Sequence, residues 1–307
     1  MATRKKKISR KPASRSTLKA KSARAARPIP KRAAGRGSKP VRASTAVAAG
    51  APEAGRLSPR EMTAVLKLLK DSGSVELKMT IPAEGHRAAA RSIGLDAVEA
   101  QPRQAYFFDT PDLALNRAGI ILRARRIQGG KGDTVVKVRP IDPAKVDPAL
   151  RRSESFKVEL DAMPGGFVCS ASFKGTCSGA DVVDVASGAM PLRGLFSKEQ
   201  LAFFDERAPK KIRMDKLVVL GPILLLRVKQ NIKELGRSLV MELWIYPDGS
   251  HVLEISTKCE PGEAFQVAAE FRAFLAGRGI EAGAEQESKT RTALQYFKQR
   301  MDAGLPI

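Results

Sequence analysis

The stretch SVELKMT, Ser74 to Thr80, alternates: Val75, Leu77 and Met79 fall on one side of an extended chain, and Ser74, Glu76, Lys78 and Thr80 fall on the other. The pattern recurs along the chain. In GIILRARRI (119–127) Arg123 and Arg125 oppose Leu122 and Ala124; in TVVKVRP (134–140) Lys137 and Arg139 oppose Val136 and Val138. SFKVEL (155–160) sets Lys157 and Glu159 against Phe156, Val158 and Leu160, and KKIRMDKL (210–217) sets Lys211, Arg213 and Asp215 against Ile212 and Met214. ILLLRVKQ (223–230) carries Arg227 and Lys229, LVMELWIYP (239–247) carries Glu242 with Trp244, and HVLEISTK (251–258) carries Glu254, Ser256 and Lys258. PDGS (247–250) between the last two reads as a hairpin turn.

Eight half-charged strands fit two arrangements. A sheet can pack its apolar face on helices and leave the charged face in water. Alternatively it can close into a barrel, turning the charged faces inward and covering the apolar outside with helices. Like charges two residues apart on one strand repel, so Arg123 with Arg125, Lys137 with Arg139, and Arg227 with Lys229 need a polyanion or interleaved carboxylates to offset them. Carboxylates are present at Glu76, Glu159, Glu242 and Glu254. Many cations with a few acids suit a phosphate chain plus a divalent cation.

The formal charge of +22 is concentrated at the amino terminus: residues 1–50 hold sixteen Lys and Arg and no Asp or Glu, leaving 38 basic and 32 acidic residues for the rest. Residues 1–55, Lys, Arg, Ala, Pro and Ser with few large apolar side chains, read as a disordered tail that attracts nucleic acid or polyphosphate. Residues 56–307 form the folded domain. The longest apolar stretch, LVVLGPILLL (217–226), is interrupted by Gly221 and Pro222 and reads as two strand pieces, so no membrane span is expected and the protein is placed in the cytoplasm. Three cysteines without CxxC spacing and two histidines exclude a disulfide framework and a thiolate or imidazole metal site; any metal is a hard cation such as Mg²⁺ or Mn²⁺ held by carboxylates.

Helices are expected at SPREMTAVLKLLK (58–70, Ser58 capping), HRAAARSIGL (86–95, closed by Gly94), PDLALNRA (111–118, between Thr110 and Gly119), after the Ser197/Gln200 capping box, and at two amphipathic segments, 261–278 and 286–301. The region from 161 to the Ser197 cap reads as a Gly, Ser and Ala-rich connection. Lys229 and Lys258 fall to the rim of a barrel.

These residues resemble the CYTH, or triphosphate tunnel metalloenzyme, superfamily, which includes class IV adenylate cyclases, thiamine triphosphatases and inorganic triphosphatases. SVELKMT resembles its ExExK signature, and YFFDTPDLALNRAGIILRARR (106–126) its Tyr-Phe-Asp-Thr-Pro segment, short helix and Leu-Arg-x-Arg strand. TVVKVR, ESFKVEL, LWIYPDGSHVLEIS and SKTRTALQYF match later landmarks in order, covering roughly residues 74–298. The resemblance implies an α+β fold built on an eight-stranded antiparallel barrel with a charged tunnel, and metal-dependent hydrolysis of a triphosphate compound. It assigns phosphate contacts to Lys78, Arg123, Arg125, Lys137, Arg213 and Lys289, with Arg227 as the alternative to Arg213 and Arg139 beside Lys137. Glu76 and Glu254 correspond to metal-binding acids, and Glu159 and Glu242 to lumen acids able to hold metal or orient cations. Lys78 or Lys289 would orient the attacking water. Two positions depart from the pattern: Ser74 stands where the first acid of ExExK is expected, and Ser256 where the second late acid is. A serine hydroxyl is a poor Mg²⁺ ligand, so a non-catalytic polyphosphate- or nucleotide-binding module is the alternative reading. No base-recognition motif supports a cyclase.

Overall fold

The computed structural model describes residues 57–94, 97–283, 286 and 288–307; the basic tail expected over 1–55 lies outside them. Among the described residues nine strands form a closed barrel: β1 (Ser74–Ile81), β2 (Gln101–Asp109), β3 (Ile120–Ile127), β4 (Gly132–Val138), β5 (Phe156–Met163), β6 (Gly166–Cys177), β7 (Val218–Ile232), β8 (Arg237–Ile245) and β9 (His251–Cys259). Their order around the wall is β1-β5-β6-β4-β3-β2-β7-β8-β9, and β9 returns to β1. Eight of the nine contacts are antiparallel. β1 meets β5 in parallel, with Ser74 opposite Glu159 and Glu76 opposite Asp161.

The expected eight become nine: KKIRMDKL is lost, and β2, ahead of the short helix, and β6 are added. KKIRMDKL is not a strand: Met214–Lys216 is a single 3-10 turn, and Arg213 lies on the surface with its side chain 75% exposed. Its guanidinium chelates Asp215 (Nε to Oδ1 3.0 Å), a local pairing that needs no sheet. Conversely β6 lies in the stretch read as a connection. Its outward residues Cys169, Ala171 and Phe173 alternate with inward Ser170, Ser172 and Lys174, but small side chains with weak strand propensity conceal the period. The apolar run around Gly221 is one fifteen-residue strand, β7, whose register against β2 shifts between Ala105 and Phe107.

Among the described residues eight α-helices pack on the barrel: α1 (Pro59–Lys70), α2 (His86–Ile93), α3 (Ala114–Arg117), α4 (Pro148–Arg151), α5 (Gly179–Ala186), α6 (Lys198–Arg207), α7 (Ala264–Ala276) and α8 (Lys289–Asp302). The capping boxes at Ser58 with Glu61 and at Ser197 with Gln200 are both formed, and α2 ends at Gly94 in the left-handed conformation. α3 begins later than Thr110 suggested. Asp109 accepts hydrogen bonds from the Thr110, Leu115 and Asn116 amides and Thr110 Oγ1 from that of Ala114, so the turn is tied before the helix starts. None of these helices is long and apolar enough to cross a membrane.

Burial separates two apolar bodies. Outside the wall, Val65, Leu69, Val182, Phe203, Val267 and Phe271 of the helices join outward-facing Leu77, Leu122, Val136 and Ile255 in one continuous layer. The second body lies inside the barrel. Phe107, Ile121, Ile223, Leu225 and Trp244 point inward at one end, and α8 seals them with Ala293, Leu294 and Phe297. Burying such side chains contributes about 1.5–3 kcal/mol each. One end of the lumen is therefore solid apolar packing, and the charged residues are confined to the rest.

Candidate functional site

The inward positions of the remaining strands place the charges around one chamber. β1 supplies Glu76 and Lys78, β5 Glu159 and Asp161, β6 Lys174, and β4 Asp133 and Lys137 with Arg139 just beyond its end. β3 supplies Arg123 and Arg125, β2 Arg103, β7 Arg227, β8 Glu242, and β9 Glu254, Ser256 and Lys258. α8 contributes Lys289 from its first turn, capped by Ser288, whose hydroxyl accepts from the Arg291 amide at 3.2 Å.

Each of these carboxylates is engaged by internal cations. Lys78 Nζ lies 3.1 Å from Glu76 and 3.1 Å from Asp161; Lys137 lies 3.3 Å from Asp161. Lys258 bridges Glu159, at 2.5 Å, and Glu76, at 4.0 Å, while Lys174 takes the other oxygen of Glu159. Lys289 joins Glu242 and Glu254, the latter at 2.7 Å, and lies over the Trp244 ring. Arg227 and Arg125 also approach Glu242, and Arg125 and Arg123 share Asp133. Arg103 donates to the Gln101 side chain and Arg139 reaches Ser288. Cations outnumber acids, so the chamber retains an excess of positive charge.

The electrostatics are those of fixed ammonium groups. Burial alone would lower the pKa of Lys78, but Glu76, Glu254 and Asp161 outweigh it and hold it above the ordinary lysine range. Lys289 is likewise raised, burial being outweighed by Glu254 and Glu242. Burial would raise Glu159, yet Lys174 and Lys258 pull it down to about 2. Asp161 and Glu242 are held well below the carboxylate range against their burial, by Lys78 with Lys137 and by Lys289 respectively. Burial and neighbouring Arg125 draw Arg123 down to about 10, still a cation at neutral pH. Lys78 and Lys289 are thus permanent donors and cannot take a proton from water.

The divalent cation implied by the resemblance finds no ready cage. Among the described residues no three Asp, Glu, His or Cys side chains cluster as a metal site. Ser256 donates its hydroxyl to Glu76 at 3.2 Å, acting as a hydrogen-bond donor where the resemblance expects a second carboxylate ligand. Mg²⁺ and Mn²⁺ prefer several oxygen ligands, whereas the carboxylates here meet in pairs already bridged by lysine. The donor set does not fit a resident divalent ion.

Of the residues singled out from sequence, Lys78, Arg123, Arg125, Lys137, Arg139, Arg227, Lys289, Glu76, Glu159, Glu242 and Glu254 face this chamber; Arg213 does not. Trp244 packs in the apolar end and donates Nε1–H to Glu242 at 3.3 Å. Asp161, Asp133, Arg103, Lys174 and the bridging role of Lys258 escaped the sequence reading. Asp161 and Asp133 share parity with Glu159 and Lys137, a signal that was present one step beyond the strand ends as read.

Neither a protein-family model nor a curated protein matches the sequence. Solved structures do match. A candidate adenylyl cyclase from Hippeastrum with a dominant triphosphatase activity superposes with a TM-score of 0.52 at 17% identity, covering 76% of this chain and 96% of that one. A candidate adenylate cyclase from Bacillus halodurans gives 0.51 at 14% identity, covering 72% and 97%. The chain has the triphosphate-tunnel, or CYTH, fold.

Proposed function

We propose that the chain binds the phosphate chain of a triphosphate compound in the charged chamber and hydrolyses its terminal anhydride. The observation that carries this reading is the ring of inward Lys and Arg side chains, from Lys78, Arg123, Arg125, Lys137, Arg139, Arg227 and Lys289, drawn from four strands and α8 onto one space. Phosphate oxygens are the ligand class that neutralises such a set. The fold shared with a Hippeastrum protein of dominant triphosphatase activity supports hydrolysis over cyclisation.

In that reaction water attacks the terminal phosphorus in line, the bridging P–O bond breaks, and its electrons leave with the departing phosphate chain. Protonated Lys78 and Lys289 and the arginines stabilise that developing charge. They do not act as bases, and the water proton passes to solvent. A second reading, binding without turnover, is favoured by one observation: Glu159, Asp161 and Glu242 are tied to cations and held ionised at low pKa, which makes them weak proton acceptors. The basic tail over 1–55 would add electrostatic capture of polyanions or nucleic acid.

The test is phosphate release by the full chain from tripolyphosphate, thiamine triphosphate, ATP and long-chain polyphosphate, with and without Mn²⁺, beside Arg123→Ala. Turnover lost in the variant supports hydrolysis. Tight binding without turnover selects the second reading, and neither binding nor turnover rejects both.

A further inference from the structure

Wherever two carboxylates approach each other along the β5-β1-β9-β8 wall, a lysine ammonium stands between them. Lys78 bridges Glu76 and Asp161, Lys289 bridges Glu242 and Glu254, and Lys258 bridges Glu76 and Glu159. The third bridge has a specific origin in the register. Lys258 on β9 lies opposite Glu76 on β1, and Ser74, two residues earlier on β1, lies opposite Glu159 on β5. The short Ser74 side chain adds no further negative charge at the point where the Lys258 ammonium meets the two acids. Lys258 is half exposed, at 52%, so its ammonium lies at the open side of the chamber while Glu159 beneath it is buried.

Two like charges across a parallel seam require a counter-cation, either a dissociable ion or a tethered one. An ammonium has three donors and no need of an oxygen cage, and those not used by the acids remain for a phosphate oxygen.

We propose that Lys258 is a tethered counter-cation which takes the place of a divalent ion at this wall, so that the chamber binds an inorganic phosphate chain in its metal-free form. This rests on the phosphate-binding reading above. A sign follows from it. Divalent cations in solution chelate tripolyphosphate and withdraw it from a chamber that accepts the free chain, so Mg²⁺ weakens binding instead of enabling it.

The test is calorimetric titration of tripolyphosphate into the full chain, in chelator and in millimolar Mg²⁺, for wild type, Lys258→Met, Lys258→Arg and Lys258→Met/Ser74→Glu. The tail is common to all four, so differences among them report the chamber. Mn²⁺ binding is read separately by electron paramagnetic resonance, without phosphate. Wild type is expected to bind as tightly or more tightly in chelator than in Mg²⁺ and to hold no Mn²⁺. Lys258→Met is expected to lose about tenfold in chelator, Lys258→Arg to retain affinity, and the double variant to gain a Mn²⁺ signal and a requirement for the metal. The arginine variant, which keeps the charge, separates this effect from misfolding. Wild-type binding that requires Mg²⁺ or Mn²⁺, or a wild-type Mn²⁺ signal, overturns the inference and leaves the phosphate-binding reading standing. Affinity unchanged by Lys258→Met overturns the inference, and affinity likewise unchanged by Arg123→Ala and Lys137→Ala, titrated in the same way, overturns both.

Discussion

Replacing Lys289 with methionine removes the one group that joins Glu242 and Glu254 beneath the α8 cap. Those two residues are direct cross-strand neighbours on β8 and β9, so without the ammonium they become adjacent like charges in a buried setting. Stripping one partner from a fully buried ion pair costs about 3–5 kcal/mol. Glu242 keeps Arg227 at 3.7 Å and Arg125 at 3.9 Å, which offsets part of the loss, while Glu254 loses the lysine 2.7 Å away. We therefore expect about 3 kcal/mol of destabilisation, or roughly 9 °C in Tm for a domain of this size. Urea unfolding followed by circular dichroism measures it. Adding Glu254→Gln to the methionine variant should recover more than half, because the orphaned charge is then gone. The pH dependence has a definite sign. Glu242 is held below its ordinary value of 4.5 in the fold, so the wild-type advantage is present above about 4.5 and shrinks as pH falls below it. A methionine variant as stable as wild type, or a double variant less stable than the single, would refute the reasoning.

Arg213→Ala should leave tripolyphosphate affinity within about twofold of wild type, and Arg227→Ala should weaken it about tenfold, since only the second side chain reaches the chamber. Acidification should remove a contribution of about 3 kcal/mol from Glu159: its pKa is near 2 in the fold against an ordinary 4.5, so the stabilisation is complete above 4.5 and is lost as pH falls towards 2. Lys174→Met should narrow that loss in urea titrations at pH 6 and pH 3. Gly119→Ala should cost more than about 2 kcal/mol by thermal melting, because Gly119 has φ 76° and an added Cβ would sit 2.2 Å from the Arg139 carbonyl oxygen.

The charged lumen was legible because each contributing strand repeats one chemical contrast every second residue, and SVELKMT states it in full. Strand count was not, because it depended on β6, whose inward serines and outward alanine and cysteine offer little contrast, and on 210–217, where a strand-like period is satisfied by a turn and a two-residue ion pair. The acids at 161 and 133 were missed by boundary placement alone. The Lys78 and Lys258 bridges were beyond reach for another reason: which ammonium meets which carboxylate is decided there by the parallel β1–β5 seam, between segments about 85 residues apart, and no local pattern encodes that register. The amphipathic pattern of the α8 segment was visible, but the seating of Leu294 and Phe297 on the apolar end of the barrel was not.

That seating makes the barrel blind-ended. Phe297 and Leu294 pack with Phe107, Ile223 and Trp244, so apolar side chains fill that end among the described residues. On the proposed function, a phosphate chain would enter from the charged end and its fragments would leave the same way, and a long polymer would offer only its tip.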